Sequence, residues 1–120
     1  MILQMENRPL SALEKEALKT LASGITVDLR SSVLVDLEHV TVNAINSDKS
    51  IFEFVHEGYV RPDSGQMPAG YEGVVNDTDD AEIEVILYWD RNFKICEFEL
   101  LKWSEADVIK PRWKTFRLKT

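Results

Sequence analysis

Hydrophobic and polar residues alternate from Ala81 to Trp103, which predicts two antiparallel strands joined by a turn at Arg91-Asn92. Pairing the two halves about this turn gives the opposed pairs Ile83 and Leu100, Val85 and Phe98, Leu87 and Cys96, and Trp89 and Lys94. The other face then carries Glu82, Glu84, Ile86 and Tyr88 against Leu101, Glu99, Glu97 and Ile95, with Glu84 directly opposite Glu99. The first face is apolar and is expected to pack on the core. The second mixes carboxylates with Tyr and Ile, which is more typical of a docking surface than of a solvated one.

The N-terminal part of the chain predicts one helix, from Ala12 to Ser23. Ser11 and Glu14 have the spacing of a capping box, in which each side chain accepts a bond from the other residue's backbone N–H. Apolar residues then recur at helical spacing, and Gly24 is expected to end the helix in the left-handed conformation. Such a helix is expected to lie across a sheet.

The next segments read as strands. Ile25 to Leu29 is either a short strand or a loop, and Val33 to Ile45 alternates and is rich in β-branched residues. Asn46 to Ser50 has turn chemistry, and Ile51 to His56 follows as a partner strand. Pairing about Asp48 opposes Val42 and Phe54, Ala44 and Phe52, and Val40 and His56.

The rest of the chain predicts a long irregular connection and further strands. Glu57 to Glu72 is rich in Gly and Pro, and its Tyr59, Met67 and Tyr71 either contact a ligand or attach the loop to the core. The remaining predicted elements are a short strand at Gly73 to Val75, a helical turn at Ser104 to Val108 with Ser104 as its N-cap, and a final strand at Trp113 to Lys119. The fold class is therefore α+β, with one N-terminal helix packed on a mainly antiparallel sheet of about five to six strands, in a single domain over residues 1–120.

Composition narrows the class of protein. With 120 residues, 44% of them hydrophobic and 29% charged, the chain is typical of a soluble globular domain. No apolar run is long enough for a membrane helix, and the opening MILQMENRPL is unlike a signal peptide, so a cytoplasmic protein is expected. The single cysteine, Cys96, is predicted to be a buried, reduced thiol rather than a reactive nucleophile.

The formal charge is −7, and its distribution is uneven. Residues 77–107 contain ten acids and three bases, whereas residues 110–120 contain five bases and no acid. Two interpretations follow: the basic tail lies beside the acidic hairpin and neutralises it, or the acidic face attracts a basic partner. The overall acidity argues against nucleic acid as the main ligand, because phosphate contacts need a positive surface.

The sequence gives no support for catalysis. The run from Asp77 to Glu82 could ligate a hard cation, but it departs from the EF-hand pattern at Ala81 and equally fits an acidic turn without metal. His39 and His56 are predicted on opposite faces of a sheet, where they could not act on one substrate. No Ser-His-Asp arrangement, Gly-rich phosphate loop or zinc-ligand spacing is present, so no enzyme, metal or cofactor is expected.

Several segments resemble an uncharacterised bacterial family of small acidic proteins. NRPLSALEK (residues 7–15) resembles its R-P-L-[ST]-x-x-E-[RK] opening, while NDTDD (76–80), VILYWD (85–90) and EFELLKW (97–103) resemble its acidic turn, its strand ending in Asp, and its E-L-[DE]-x-x-K segment. The family typically has Gly where this chain has Asn92. In size, acidity and build the chain is also similar to immunity proteins of bacterial toxin systems, including contact-dependent growth inhibition.

This likeness implies an immunity-type protein that binds and neutralises a basic, nuclease-like toxin domain and that is a monomer, or at most a weak dimer, when free. The alternatives are a structural or self-associating subunit, and a small ligand-binding protein or enzyme that uses Glu57 to Glu72 as a lid. The predicted partner-binding residues are Asp77, Asp79, Asp80, Glu82, Glu84, Tyr88, Glu97, Glu99, Tyr59 and Trp103.

Overall fold

The computed structural model describes residues 7–63, 65–104 and 106–119, which form two helices and eight strands. In chain order these are β1 Arg8–Pro9, α1 Ala12–Ala22, α2 Val27–His39, β2 Thr41–Ala44, β3 Ile51–Val55, β4 Met67–Pro68, β5 Gly73–Asn76, β6 Glu82–Trp89, β7 Ile95–Lys102 and β8 Arg112–Leu118. All strand pairs among these residues are antiparallel. The α+β class is confirmed, but the sheet has more strands than expected and a second helix is present.

The strands form one curled sheet in the order β1-β2-β3-β7-β6-β5-β8, and β4 pairs with β6 beyond the end of β5. Both helices contribute buried residues to the core on one side of this sheet, here called the inner face. Phe98 lies at the centre of that core, fully buried, with its ring stacked 4.7 Å from the ring of Phe52. Its core neighbours include Leu18, Leu21, Val33, Leu37, Val42, Val75, Ile83, Val85, Leu87 and Leu100.

Helix α1 begins with the predicted capping box. The Glu14 amide donates to Ser11 Oγ at 3.1 Å, and the Ser11 amide donates to Glu14 Oε1 at 2.8 Å. At the other end the prediction was wrong, because right-handed Ser23 caps the helix and Gly24 does not adopt a positive φ. Gly24 has a different role: a Cβ there would lie 2.9 Å from the Tyr71 amide nitrogen, so glycine permits the loop to approach the helix end.

The strand predicted from Val33 to Ile45 was wrong over most of its length, since Val27–His39 is helix α2 and β2 begins only at Thr41. Val33 and Leu37, four residues apart, are both fully buried on the core side of this helix. Of the short strand or loop predicted for Ile25 to Leu29, Ile25 and Thr26 are a loop, and Val27 to Leu29 are the first residues of the helix. Residues that are β-branched favour strands only weakly, and packing of an apolar face overrides that preference.

The hairpin of β2 and β3 has the predicted register. Val42 lies opposite Phe54 and Ala44 opposite Phe52, although the ladder ends at the Thr41–Val55 pair and does not reach Val40 and His56. The turn is fixed by Asn46, whose Oδ1 accepts bonds from the backbone amides of Ser50 and Ile51, both at 3.0 Å.

The register of β6 and β7 differs from the prediction by two residues. Val85 lies opposite Leu100, Leu87 opposite Phe98 and Ile83 opposite Lys102. Because a shift of two conserves which face each side chain occupies, the division into apolar and mixed faces is largely retained. The predicted Glu84–Glu99 pair was wrong: Glu84 lies opposite Leu101, and Glu99 lies opposite Ile86.

The turn between β6 and β7 explains this shift. Asp90 Oδ1 accepts bonds from the amides of Asn92 and Lys94, and Phe93 takes a left-handed conformation with φ of 59°, so the turn is longer than the Arg91-Asn92 turn predicted. The pairing then passes from Tyr88–Glu97 to Trp89–Ile95, leaving Cys96 as the extra residue of a bulge. Ile95 consequently joins the core and leaves the outward face on which it was predicted.

The later elements are partly as expected. The strands at Gly73–Asn76 and Arg112–Leu118 confirm two predictions, and the stretch from Glu57 to Glu72 is irregular apart from β4. The helical turn predicted at Ser104 to Val108 is not formed in the described part of that segment. There the backbone instead bonds to charged side chains: Lys102 Nζ donates to the Asp107 carbonyl at 3.1 Å, and the Ile109 amide donates to Asp77 at 2.8 Å.

Candidate functional site

The side of the sheet opposite the helices combines carboxylates with apolar side chains. The strand registers align Glu53, Glu97 and Tyr88 in one row across β3, β7 and β6, and align Ile51, Glu99 and Ile86 in the next. A third row joins Leu101 to Glu84. We call this surface the outer face; its residues are Ile51, Glu53, Glu84, Ile86, Tyr88, Glu97, Glu99 and Leu101.

Asp77 does not belong to this surface, although it was predicted as a partner-binding residue. It is fully buried, and its carboxylate accepts a bond from Lys102 Nζ at 2.9 Å and from the backbone amides of Ile109 at 2.8 Å and Lys110 at 2.7 Å. Asp79 also accepts a bond from Lys102, at 2.8 Å. These two carboxylates therefore hold the segment after β7 against the β5–β6 turn. Asp77 is out of reach of a partner, whereas Asp79 is partly exposed.

The basic final strand neutralises much of the acidic hairpin. Arg112 pairs with Asp80, Arg117 pairs with Glu82 at 2.7 Å, and Lys119 pairs with Glu84. The Lys119 ammonium lowers the pKa of Glu84, in spite of the burial of that carboxyl. Of the two interpretations of the charge distribution, neutralisation within the chain thus describes Asp80, Glu82 and Glu84, three of the predicted binding residues.

The carboxylates of the outer face nearer β3 make fewer ion pairs. Glu97 receives bonds from Arg61 at 3.1 Å and from Gln66 at 2.9 Å. Among the described residues, no basic side chain lies within 4.0 Å of Glu53 or Glu99. Glu53 lies directly opposite Glu97, and the repulsion between these like charges is partly offset by Arg61, which pairs with Glu97.

Tyr88 links the acidic and apolar parts of this surface. Its hydroxyl donates to Glu99 Oε1 at 3.3 Å, and its pKa is raised by burial and by the charge of Glu99.

Glu53 and Ile51 are the outer-face residues that sequence reasoning missed. The predicted β2–β3 hairpin placed both on one side of β3, but nothing in the sequence showed that β3 borders β7.

The two aromatic residues proposed as contacts have different environments. The Tyr59 hydroxyl donates to Asp90 Oδ2 at 2.6 Å and accepts from Asn92 Nδ2 at 3.1 Å, so Tyr59 attaches its loop to the β6–β7 turn. Trp103 is 72% exposed, and its indole N–H donates to Glu84 at 3.3 Å. Trp103 therefore borders the outer face and is available to a partner, whereas Tyr59 has the attachment role.

The histidines were wrongly predicted to lie on opposite sides of the sheet. Because His39 ends a helix rather than continuing a strand, it lines the same cleft of about 210 Å³ as His56, together with Asp36, Tyr59 and Lys94. His56 Nε2 lies 2.7 Å from the Ile95 carbonyl, and its ring packs edge-on against Tyr59. These contacts fix His56 in the fold.

Two further findings concern chemistry. Cys96 is buried, as predicted, and burial raises its pKa to about 11, so its thiol is protonated at neutral pH. In the portion of the chain that the structure covers, no three His, Cys, Asp or Glu side chains converge on a metal-binding position. No helix there is both long and apolar enough to cross a membrane.

The buried Asp77 predicts a specific acid sensitivity. Burial opposes its ionisation, but bonds from the Ile109 amide, Lys102 and the Lys110 amide outweigh that effect and lower its pKa from 3.8 to about 2. The folded state thus binds fewer protons than the unfolded chain, so the stabilisation is complete above about pH 4 and is lost as the pH falls toward 2. It amounts to about 1–2 kcal/mol after allowance for solvent screening.

Urea titrations at several pH values between 2 and 6 measure this effect as the slope of unfolding free energy against pH. Asp77→Asn is expected to have a smaller slope below pH 4 than the unsubstituted protein. Equal slopes would contradict the assignment of this acid sensitivity to Asp77.

No protein-family model matches this chain, and no curated protein or solved structure is significantly similar to it. The resemblance of the motifs to an uncharacterised bacterial family, and the likeness to immunity proteins in size, acidity and build, therefore remain predictions.

Proposed function

We propose that this protein is an immunity-type binding protein, which neutralises a basic, nuclease-like bacterial toxin domain by covering it with the outer face. The observation that carries the proposal is the placement of Glu53 and Glu99, which make no ion pair among the described residues, beside Ile51 and Ile86 in neighbouring rows of one sheet surface. The action is binding without catalysis, and the proposed location is the bacterial cytoplasm.

The charges of the outer face suit a basic partner. Arg61 offsets only part of the repulsion between Glu53 and Glu97, because it pairs with Glu97 alone, and Lys or Arg side chains from a partner would offset more of it. Nuclease active sites contain basic side chains that bind the phosphates of the nucleic acid. The carboxylates of a bound protein can occupy the positions of those phosphates. Half-buried Ile51 and Leu101, with exposed Trp103 at the border, supply contact area that a purely charged face lacks, whereas Ile86 is almost fully covered.

Charge reversal tests this proposal. We expect Glu53→Lys/Glu99→Lys to fold normally and to bind its toxin domain about tenfold to a hundredfold more weakly, because reversed charges repel a basic surface and slow its association. Binding is measured by calorimetry against a panel of basic toxin nuclease domains carrying inactivating substitutions, at low and at physiological salt. Glu16→Lys/Asp107→Lys is the matched control, because it changes the net charge equally at exposed positions outside the outer face.

A partner that binds both double variants equally well would exclude the outer face as the interface. If no basic domain in the panel binds the unsubstituted protein, the toxin-neutralising proposal fails.

The alternative of a self-associating subunit required the basic tail to pair with the acidic hairpin of the next chain. Since Arg117 and Lys119 already pair with Glu82 and Glu84 of their own chain, the geometry favours the binding protein over the self-associating subunit.

A further inference from the structure

A second surface lies between helix α1 and the start of strand β8. It is a groove of about 460 Å³ lined by Leu13 of the helix and by the segment from Lys110 to Thr115, with Trp113 and Pro111 among its apolar residues. Lys110, Pro111 and Trp113 also line an adjoining recess of about 260 Å³ that reaches Phe52 and Leu100 of the core. We call these two spaces together the α1–β8 groove.

The α1–β8 groove has exposed apolar residues at its margin. Leu13 is 43% exposed although it lies in the first turns of a helix that packs on the core, and Ile109 is 61% exposed. Trp113 is half-buried, with its ring edge-on to Phe98 of the core at 6.2 Å between centroids. The groove thus offers an aromatic wall that is continuous with the core and still accessible from outside.

The charge of this groove is opposite to that of the whole protein. Its lining contains five bases and two acids, in a chain whose net charge is −7. Arg8 and Arg112 already pair with Glu14 and Asp80. The other three bases are Lys49, Lys110 and Lys114, none of which has a carboxylate within 4.0 Å among the described residues.

The basic edge also argues against a second copy as the occupant. Within the described residues β8 ends the sheet and pairs only with β5. Two copies that joined through this edge would bring Lys110, Arg112 and Lys114 of one chain against the same residues of the other. Lysines on an edge strand oppose such pairing, whereas an acidic segment would be attracted to the same edge.

We propose that the α1–β8 groove binds an acidic peptide segment that inserts a bulky apolar side chain against Trp113. The lysines neutralise the carboxylates of the segment, and the apolar floor holds its aliphatic or aromatic residue. This surface is basic, whereas the outer face is acidic. It also lies elsewhere, because Trp113, Phe52 and Leu100 belong to the inner side of the sheet. The proposal therefore stands or falls independently of the toxin-neutralising function.

The experiment is a selection of short random peptides displayed on phage, with the full chain as the immobilised target. We expect the enriched peptides to be rich in Asp and Glu around a Leu, Ile, Phe or Trp. Enrichment of basic or uncharged peptides, or no enrichment at all, would overturn the proposal. The protein could instead self-associate through this groove, in which case its mass would grow with concentration and this association would weaken in Lys114→Glu. That result would overturn the proposal in favour of a second copy of the chain.

The best enriched peptide then serves as the probe for variants. Lys114→Glu is expected to weaken its binding at least about fivefold, whereas Arg91→Glu, an equal charge change at an exposed turn residue, is expected to leave it within a factor of about two. Leu13→Ser is expected to weaken it as well, by removing part of the apolar wall. Equal weakening by Lys114→Glu and Arg91→Glu would mean non-specific charge attraction and would refute the site.

Two tryptophans report where the probe binds. In NMR spectra the indole N–H signal of Trp113, which lines the groove, is expected to shift, while that of Trp103 at the border of the outer face is expected to stay. A shift of Trp103 without one of Trp113 would place the peptide on the outer face and contradict the proposal. Binding should also persist in Glu53→Lys/Glu99→Lys, so failure of the outer-face function would leave this result unaffected.

Discussion

Replacing Asp77 with Ala is expected to lower the free energy of unfolding by about 3–5 kcal/mol. The substitution leaves the Lys102 ammonium buried with only the partly exposed Asp79 carboxylate and the Asp107 carbonyl as partners. It also removes the acceptor for the backbone amides of Ile109 and Lys110, which are held at 2.8 and 2.7 Å. A buried donor or charge that has lost its partner is neither hydrated nor bonded. Removing one partner therefore destabilises the protein by more than the intact pair stabilises it.

Denaturation in guanidinium chloride, followed by tryptophan fluorescence, measures this effect. Glu82→Ala is the matched control, because Glu82 makes an exposed ion pair with Arg117, and its loss is expected to cost below about 1 kcal/mol. The double variant Asp77→Ala/Lys102→Met is expected to be more stable than Asp77→Ala, since it removes the unpaired cation along with its partner. If Asp77→Ala and Glu82→Ala were equally stable, the buried cluster would not have the role assigned to it.

The cluster around Asp77 also connects stability to the two proposed surfaces. By fixing Ile109 and Lys110 it positions one wall of the α1–β8 groove, and by pairing Lys102 it holds the end of β7, whose other residues form part of the outer face. The sequence showed the acidic run from Asp77 to Asp80 but gave no sign that its first carboxylate is buried. Burial of a charge depends on partners distant in sequence, here 25 residues away in Lys102 and 32 in Ile109.

Local signals predicted well where a short segment determines its own structure. The capping box at Ser11 and Glu14 and the Asn46 turn each rest on bonds between residues at most five positions apart, so the pattern of residue types was sufficient. The register between Val42 and Phe54 followed from that turn. The β6–β7 register failed because the Asp90 turn and the bulge at Cys96 add residues that alternation alone does not reveal.

The wrong prediction of a strand in place of helix α2 had the largest effect on where the candidate site residues were expected to lie. Val35 and Leu37 alternate with polar Asp36 and Glu38 as in a strand. Val33 and Leu37 are nevertheless buried together as in a helix, and the apolar pattern is weak for both periods. With a strand there, His39 and His56 lay on opposite faces; with a helix, they line one cleft. The order of strands, which brings Glu53 beside Glu97, likewise depends on long-range pairing that the sequence does not encode locally.

The loop from Glu57 to Glu72 is expected to depend strongly on Gly70. This residue has a φ of 92°, and a Cβ built on it would lie only 2.2 Å from the Leu21 carbonyl oxygen. That carbonyl, in the last turn of helix α1, accepts a bond from the Tyr71 amide at 3.1 Å, so the loop is joined to the helix at this point. The chain at Gly70 therefore needs both the left-handed conformation and the close approach that glycine alone permits.

Gly70→Ala is accordingly expected to destabilise the protein by about 2–5 kcal/mol, the sum of left-handed strain and of displacing the loop from the helix. Gly58→Ala separates the two contributions: Gly58 has a φ of 73°, but no atom lies within 4 Å of its Cβ position, so only the strain of about 1–2 kcal/mol is expected. Thermal and guanidinium unfolding of both variants gives the comparison. Hydrogen exchange of the Tyr71 amide should become faster in Gly70→Ala and remain unchanged in Gly58→Ala, whereas equal destabilisation by the two substitutions would show that contact with helix α1 does not hold the loop.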